Sequence, residues 1–180
     1  MIEDIIVHNR KFVAERGYEP YETSKYPDKK LAILTCMDTR LTELLPAALG
    51  IRNGDAKIIK NAGGVISHPY GSAVRSLLVA ILELGVEEIM VIGHTDCGVQ
   101  GMDGENMVAK LESRGIPKEH IDIIRKSGIS LEQWLGGFES AEEAVKESVE
   151  SLKNHPLMPK DIVIRGFMMD SVTGELSALS

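Results

Sequence analysis

Apolar positions along the chain follow two rhythms. Continuous short runs, rich in β-branched residues, occur at Leu31 to Thr35, Ala56 to Lys60, Glu88 to Ile92 and Asp161 to Gly166. Runs of that length predict strands buried on both faces. Between them the spacing shifts to three and four, predicting helices over Leu41 to Leu49, closed by Gly50, and Ser72 to Leu84, closed by Gly85. A third helix is predicted over Ser140 to Asn154, where Ser140 can cap and Glu142 and Glu143 suit the positive end of the macrodipole. The stretch from Gly101 to Gly137 is mixed, with helical pieces at Asn106 to Ser113 and Lys118 to Lys126 and a turn near Ser130 to Leu135. Thr173-Gly174 predicts a tight turn into a last strand, Glu175 to Leu179, antiparallel to the rest.

Strands alternating with helices predict an α/β fold: a central, mostly parallel sheet of about four parallel strands plus an antiparallel edge strand, flanked by helices. If the first and third strands are neighbours and the second lies outside the first, a crevice opens at their carboxyl ends. At the amino end, Ile2, Ile5, Ile6, Phe12 and Val13 predict an amphipathic helix over Ile2 to Arg16, closed by Gly17, whose apolar face needs a cover. Packing on its own domain is the simplest cover. Glu19 to Lys30 is polar, contains two prolines and reads as a loop. Residues 1–180 are expected to form one domain, with 1–30 as a helical arm and loop.

Composition narrows the function. A net charge of −7 argues against a nucleic-acid partner, and 4% aromatic residues leave few platforms for stacking bases. The acidic start Met1-Ile2-Glu3-Asp4 lacks the character of a secretion signal. The apolar segment around Leu77 to Leu84 falls short of the roughly 20 residues of a membrane span. A cytoplasmic location is therefore expected, and two cysteines in a reducing compartment point to metal or redox chemistry.

Both cysteines follow predicted strands, in Cys36-Met37-Asp38-Thr39-Arg40 and His94-Thr95-Asp96-Cys97-Gly98. Cys36, His94 and Cys97 supply two sulfurs and an imidazole, a donor set suited to Zn²⁺, and three ligands leave one position open. A redox dithiol would place its cysteines close in sequence, as Cys-x-x-Cys. Asp38 can either bind the metal as a fourth ligand or pair with Arg40 through a bidentate fork. In an extended segment, Cys36, Asp38 and Arg40 would share one face. His8, His120 and His155 sit in polar surroundings and read as surface residues.

Cys-x-Asp-x-Arg at 36 to 40, Asn61-Ala62-Gly63, and His-x-x-Cys-Gly at 94 to 98 together resemble the β-class carbonic anhydrases, in their compact archaeal and bacterial branch. The resemblance covers most of the chain from Leu31 onward. It implies zinc-dependent, reversible hydration of carbon dioxide to bicarbonate and a proton, with Cys36, His94 and Cys97 as ligands and Asp38 with Arg40 as the catalytic pair. It implies that Asn61, Ala62 and Gly63 shape the substrate slot, although a plain turn fits those residues equally well. Gly98 is expected to let backbone N–H groups face the Cys97 sulfur. The resemblance also implies a homodimer or homotetramer, the first helix reaching across to a second subunit. Related readings keep the zinc but change the role: hydrolysis of a small substrate such as carbon disulfide, or a zinc-stabilised binding protein without turnover. Thr39 replaces a commoner serine, and Val65 to Ser72 reads as longer than in close relatives.

Overall fold

The computed structural model describes residues 1–180. Five strands form one sheet in the order β2-β1-β3-β4-β5: β1 (Leu31–Cys36), β2 (Ala56–Asn61), β3 (Glu88–His94), β4 (Val163–Met169) and β5 (Leu176–Ala178). The first four are mutually parallel, and β5 runs antiparallel against β4. β1 lies between β2 and β3, so the connections leaving β1 and β3 diverge and the crevice opens at their carboxyl ends.

Helices cover both faces because the strand residues are apolar on both. Ala32 and Leu34 of β1, with Ile89 and Val91 of β3, pack under α3 (Ser72–Leu84) and α7 (Ala141–Lys153) through Val74, Leu77, Val145 and Leu152. The alternate residues Ile33 and Ile92 face Leu41 and Leu45 of α2 (Leu41–Leu49). Burying each such side chain contributes about 1.5–3 kcal/mol relative to exposure. The second, smaller cluster also contains Cys36 and Cys97, so the sulfurs are set in the core wall.

Several boundaries differ from those the pattern predicts. β1 includes Cys36 and β3 continues to His94, because pairing partners persist beyond the apolar run: Cys36 stands opposite Asn61 and His94 opposite Met169. β4 correspondingly starts at Val163 and ends at Met169. Residues 131–135 form a short helix where a turn is expected. Ser130 caps it by accepting from Gln133 N–H, and Leu131 and Leu135 join Val108 of α4 (Gly104–Ser113) and Ile121 of α5 (Lys118–Lys126) in a satellite cluster. That short helix, Leu131–Leu135, is α6.

The first helix, α1 (Ile2–Ala14), ends two residues early; Arg16, rather than Gly17, takes the left-handed conformation, at φ 57°. None of its residues is buried, and Ile2, Ile5, Val7 and Val13 are all more than half exposed. Phe12 is half-buried against Tyr21 and Gly17, but the rest of the apolar face does not pack on its own chain.

Candidate metal centre

The carboxyl ends of β1 and β3 lie side by side, and each delivers a donor. Cys36 is the last residue of β1, His94 the last of β3, and Cys97 sits in the turn that follows. All three are buried, the two sulfurs are 3.9 Å apart, and the donor atoms of the three residues lie within 4.8 Å of one another.

The imidazole is oriented by its own neighbour. Nδ1 lies 2.9 Å from the Thr95 carbonyl. A carbonyl can only accept, so Nδ1 carries the proton and Nε2 presents a lone pair. That Nε2 is buried with no hydrogen-bond partner, a condition that costs about 1–3 kcal/mol unless something fills it. Burial also pushes the Cys97 thiol up, the backbone N–H of Val99 opposes the rise, and the adjacent Cys36 adds to it. A divalent cation would reverse that preference and occupy the orphaned lone pair. Two sulfurs and an imidazole match zinc.

Around this nucleus the loops are braced. Thr95 N–H donates to the Met169 carbonyl at 3.0 Å, and Ser171 N–H donates to the Thr95 hydroxyl at 2.9 Å, so the end of β4 holds the 94–97 turn. Thr35 donates to the Ile92 carbonyl from inside the sheet at 2.9 Å.

Asp38 faces Arg40. Its Oδ1 accepts from the Arg40 backbone N–H at 2.9 Å and from Nε at 3.0 Å, and its Oδ2 accepts from Nη2 at 2.8 Å. The Arg40 fork holds the Asp38 carboxyl well below the usual carboxylate range, and the pairing raises Arg40 in return. Oδ2 of Asp38 lies 3.9 Å from His94 Nε2, so the carboxylate borders the centre. The route to this geometry differs from the extended one expected. The chain leaves the sheet after Cys36, Arg40 adopts φ −61° and ψ −30° at the start of α2, and its side chain folds back onto Asp38.

Asp96 is a residue the sequence reading passed over. Arg40 Nη1 donates to its Oδ2 at 2.8 Å and Nη2 to its carbonyl at 2.7 Å. The only signal was its place inside the His-x-x-Cys motif, and spacing does not reveal that its backbone turns left-handed, at φ 54°.

Asn61 hydrogen-bonds across the turn after β2. Its amide donates to the Val65 carbonyl at 2.7 Å and accepts from Val65 N–H at 3.1 Å, while its own carbonyl receives Met37 N–H at 2.8 Å. Asn61 and Ala62 border a cleft of about 1060 Å³ that also reaches Cys36 and Asp38. Gly63 has φ 87°, and a Cβ there would meet Phe138. The closer approach belongs to Gly64: at φ 67°, its Cβ would lie 2.6 Å from the backbone nitrogen of Cys36. Gly98 has open space around it, and the N–H groups acting on the Cys97 sulfur belong to Val99 and Gln100.

The histidines divide differently from expectation. His8 and His120 are exposed, but His155 is buried, bonding the Pro69 carbonyl through Nε2 at 2.8 Å and accepting Leu157 N–H at Nδ1. It pins the 65–71 loop from below. His68, on that loop, lines the cleft.

Comparison with known proteins agrees with this geometry. The carbonic anhydrase family pattern matches residues 31–176. A putative carbonic anhydrase of Bacillus subtilis, YvdA, is 49% identical over 99% of this chain and 90% of its own length. A carbon disulfide hydrolase of Acidithiobacillus thiooxidans is 33% identical over 83% of this chain and 76% of its own. The crystal structure of β-carbonic anhydrase isoform I from Trichomonas vaginalis superposes with a TM-score of 0.89 at 35% identity, covering 99% of this chain and 96% of that one. The chain belongs to the β-class carbonic anhydrases.

Proposed function

We propose that this chain catalyses the reversible hydration of carbon dioxide to bicarbonate and a proton, with Cys36, His94 and Cys97 holding Zn²⁺. The observation that carries the reading is the buried, partnerless Nε2 of His94 set between two buried sulfurs. Zinc bound there supplies the Lewis acidity that makes water a nucleophile near neutral pH. Asp38, kept ionised by Arg40, is an acceptor that orients the attacking water; held below the carboxylate range, it is unsuited to store the proton released. Met37, Val65, Ile66 and Phe138 give the cleft an apolar wall that suits a small, uncharged, linear substrate. Asn61 and Ala62 border that slot, and Gly63 with Gly64 lets the wall close on Cys36.

A second copy of the chain is the proposed partner, as a homodimer or a homotetramer. The uncovered apolar face of α1 supports this, since monomers rarely leave such a surface in water. No helix is long and apolar enough to cross a membrane. The free, buried thiols fit a reducing compartment, so a cytoplasmic location is proposed.

Carbon disulfide is the competing substrate, because relatives bearing that activity's name are about a third identical. Zinc-loaded protein mixed separately with carbon dioxide and carbon disulfide discriminates. Rapid acidification with carbon dioxide and little sulfide from carbon disulfide is the expected result. The reverse preference would replace the substrate, and stoichiometric zinc without turnover of either would leave a binding protein.

A further inference from the structure

We propose that Asp96 is a positioning residue for this reaction, fixing the plane of the Arg40 guanidinium and thereby the orientation of Asp38. The kinetic part rests on the hydration reading; the structural part does not. Arg40 uses two edges. Nε and Nη2 face Asp38, while Nη1 and Nη2 face the carboxylate and the carbonyl of Asp96.

Asp38 and Arg40 are two residues apart on one loop, so alone they could swing together. Asp96 belongs to the other ligand-bearing turn, between His94 and Cys97, and its left-handed backbone aims one carboxylate oxygen and its own carbonyl at one guanidinium. Arg40 thus ties the Cys36 loop to the His94–Cys97 turn. A planar fork held at its far edge presents its near edge in a single orientation, which a lysine at position 40 could not do. The Asp96 carboxylate is 86% exposed, so this ion pair contributes little to stability and its importance is geometric.

Two substitutions separate the role from a folding effect. Asp96→Gly removes the carboxylate without penalty from the positive φ, and Asp96→Asn keeps an acceptor oxygen on a residue that tolerates that backbone. On zinc-loaded protein, the guanidinium signals of Arg40 are followed by nitrogen NMR, beside zinc content, kcat and KM. In the parent, restrained Nη groups should give separate signals. In Asp96→Gly those signals should average, with zinc retained, KM unchanged and kcat down about three-fold. Asp96→Asn should recover most of both effects. In an Arg40→Ala background, Asp96→Gly should lower kcat no further.

Unchanged Nη signals in Asp96→Gly would overturn the proposal. So would zinc loss in that variant, or an equal drop in kcat with Arg40 absent. If the parent proves inactive on carbon dioxide, the hydration reading fails, while the Arg40 signals still decide whether Asp96 holds the fork.

Discussion

Replacing Gly64 by alanine would set a methyl carbon 2.6 Å from the Cys36 backbone nitrogen and 2.7 Å from the Thr35 carbonyl carbon. Neither neighbour is the tip of a flexible side chain, so relief requires the end of β1 to move, and Cys36 with it. Gly64 also has φ 67°, which costs an alanine about 1–2 kcal/mol; overpacking adds about 1–3 kcal/mol, for a loss of about 2–5 kcal/mol. Gly50 isolates the clash: it has nearly the same φ, 64°, but nothing within 4 Å of its Cβ site. Gly50→Ala should therefore cost only about 1–2 kcal/mol and leave metal affinity intact. Urea unfolding at a common slope gives both stabilities, and zinc retained against a chelator reports the displacement of Cys36. Equal losses in the two variants, with equal zinc retention, would refute the argument that the 62–64 turn presses on the Cys36 backbone.

Other expectations follow from particular contacts. His155→Ala leaves the Pro69 carbonyl and the Leu157 N–H without their buried partner, and should cost about 2 kcal/mol in thermal or urea unfolding, with faster proteolysis across residues 65–71. Asp170 accepts from the backbone N–H groups of Thr173 and Val172 and from the Thr173 hydroxyl, which lowers its carboxyl from the ordinary value. Because the folded value lies below the unfolded one, the stability it contributes is present above roughly pH 4 and is lost as pH falls through the folded value. The melting temperature of Asp170→Asn should thus trail the parent at neutral pH and converge with it in acid; a constant gap would contradict this. Arg40→Ala should slow carbon dioxide hydration while zinc content is unchanged, because the donors lie on other residues; parent-like turnover would count against Asp38 needing its fork.

The sheet and main helices were legible because parallel strands covered on both faces must be apolar throughout, and because Gly50 and Gly85 mark helix ends where φ turns positive. The convergence of Cys36, His94 and Cys97 was legible because both motifs directly follow strands whose carboxyl ends flank one crevice. What sequence left hidden depends on distant partners. His155 is flanked by Asn154 and Pro156 and looks like a loop residue, yet it is buried by a carbonyl 86 positions away. Asp96 and Gly64 act through backbone angles that spacing does not encode. Residues 131–135 are too short for periodicity to distinguish a helical turn from a plain one. The first helix showed an apolar face, but the pattern carried no information on what would cover it.

If the buried sulfur and imidazole cluster is the seat of turnover, bound zinc must set the rate. Protein stripped by a chelator is titrated with zinc while carbon dioxide hydration is followed by stopped flow, with His94→Ala run in parallel. The rate should rise in proportion to zinc, level off at equimolar metal, and stay at the uncatalysed value in His94→Ala, which should take up little zinc. Hydration by the stripped chain at the loaded rate, or full zinc uptake and turnover by His94→Ala, would contradict the assignment.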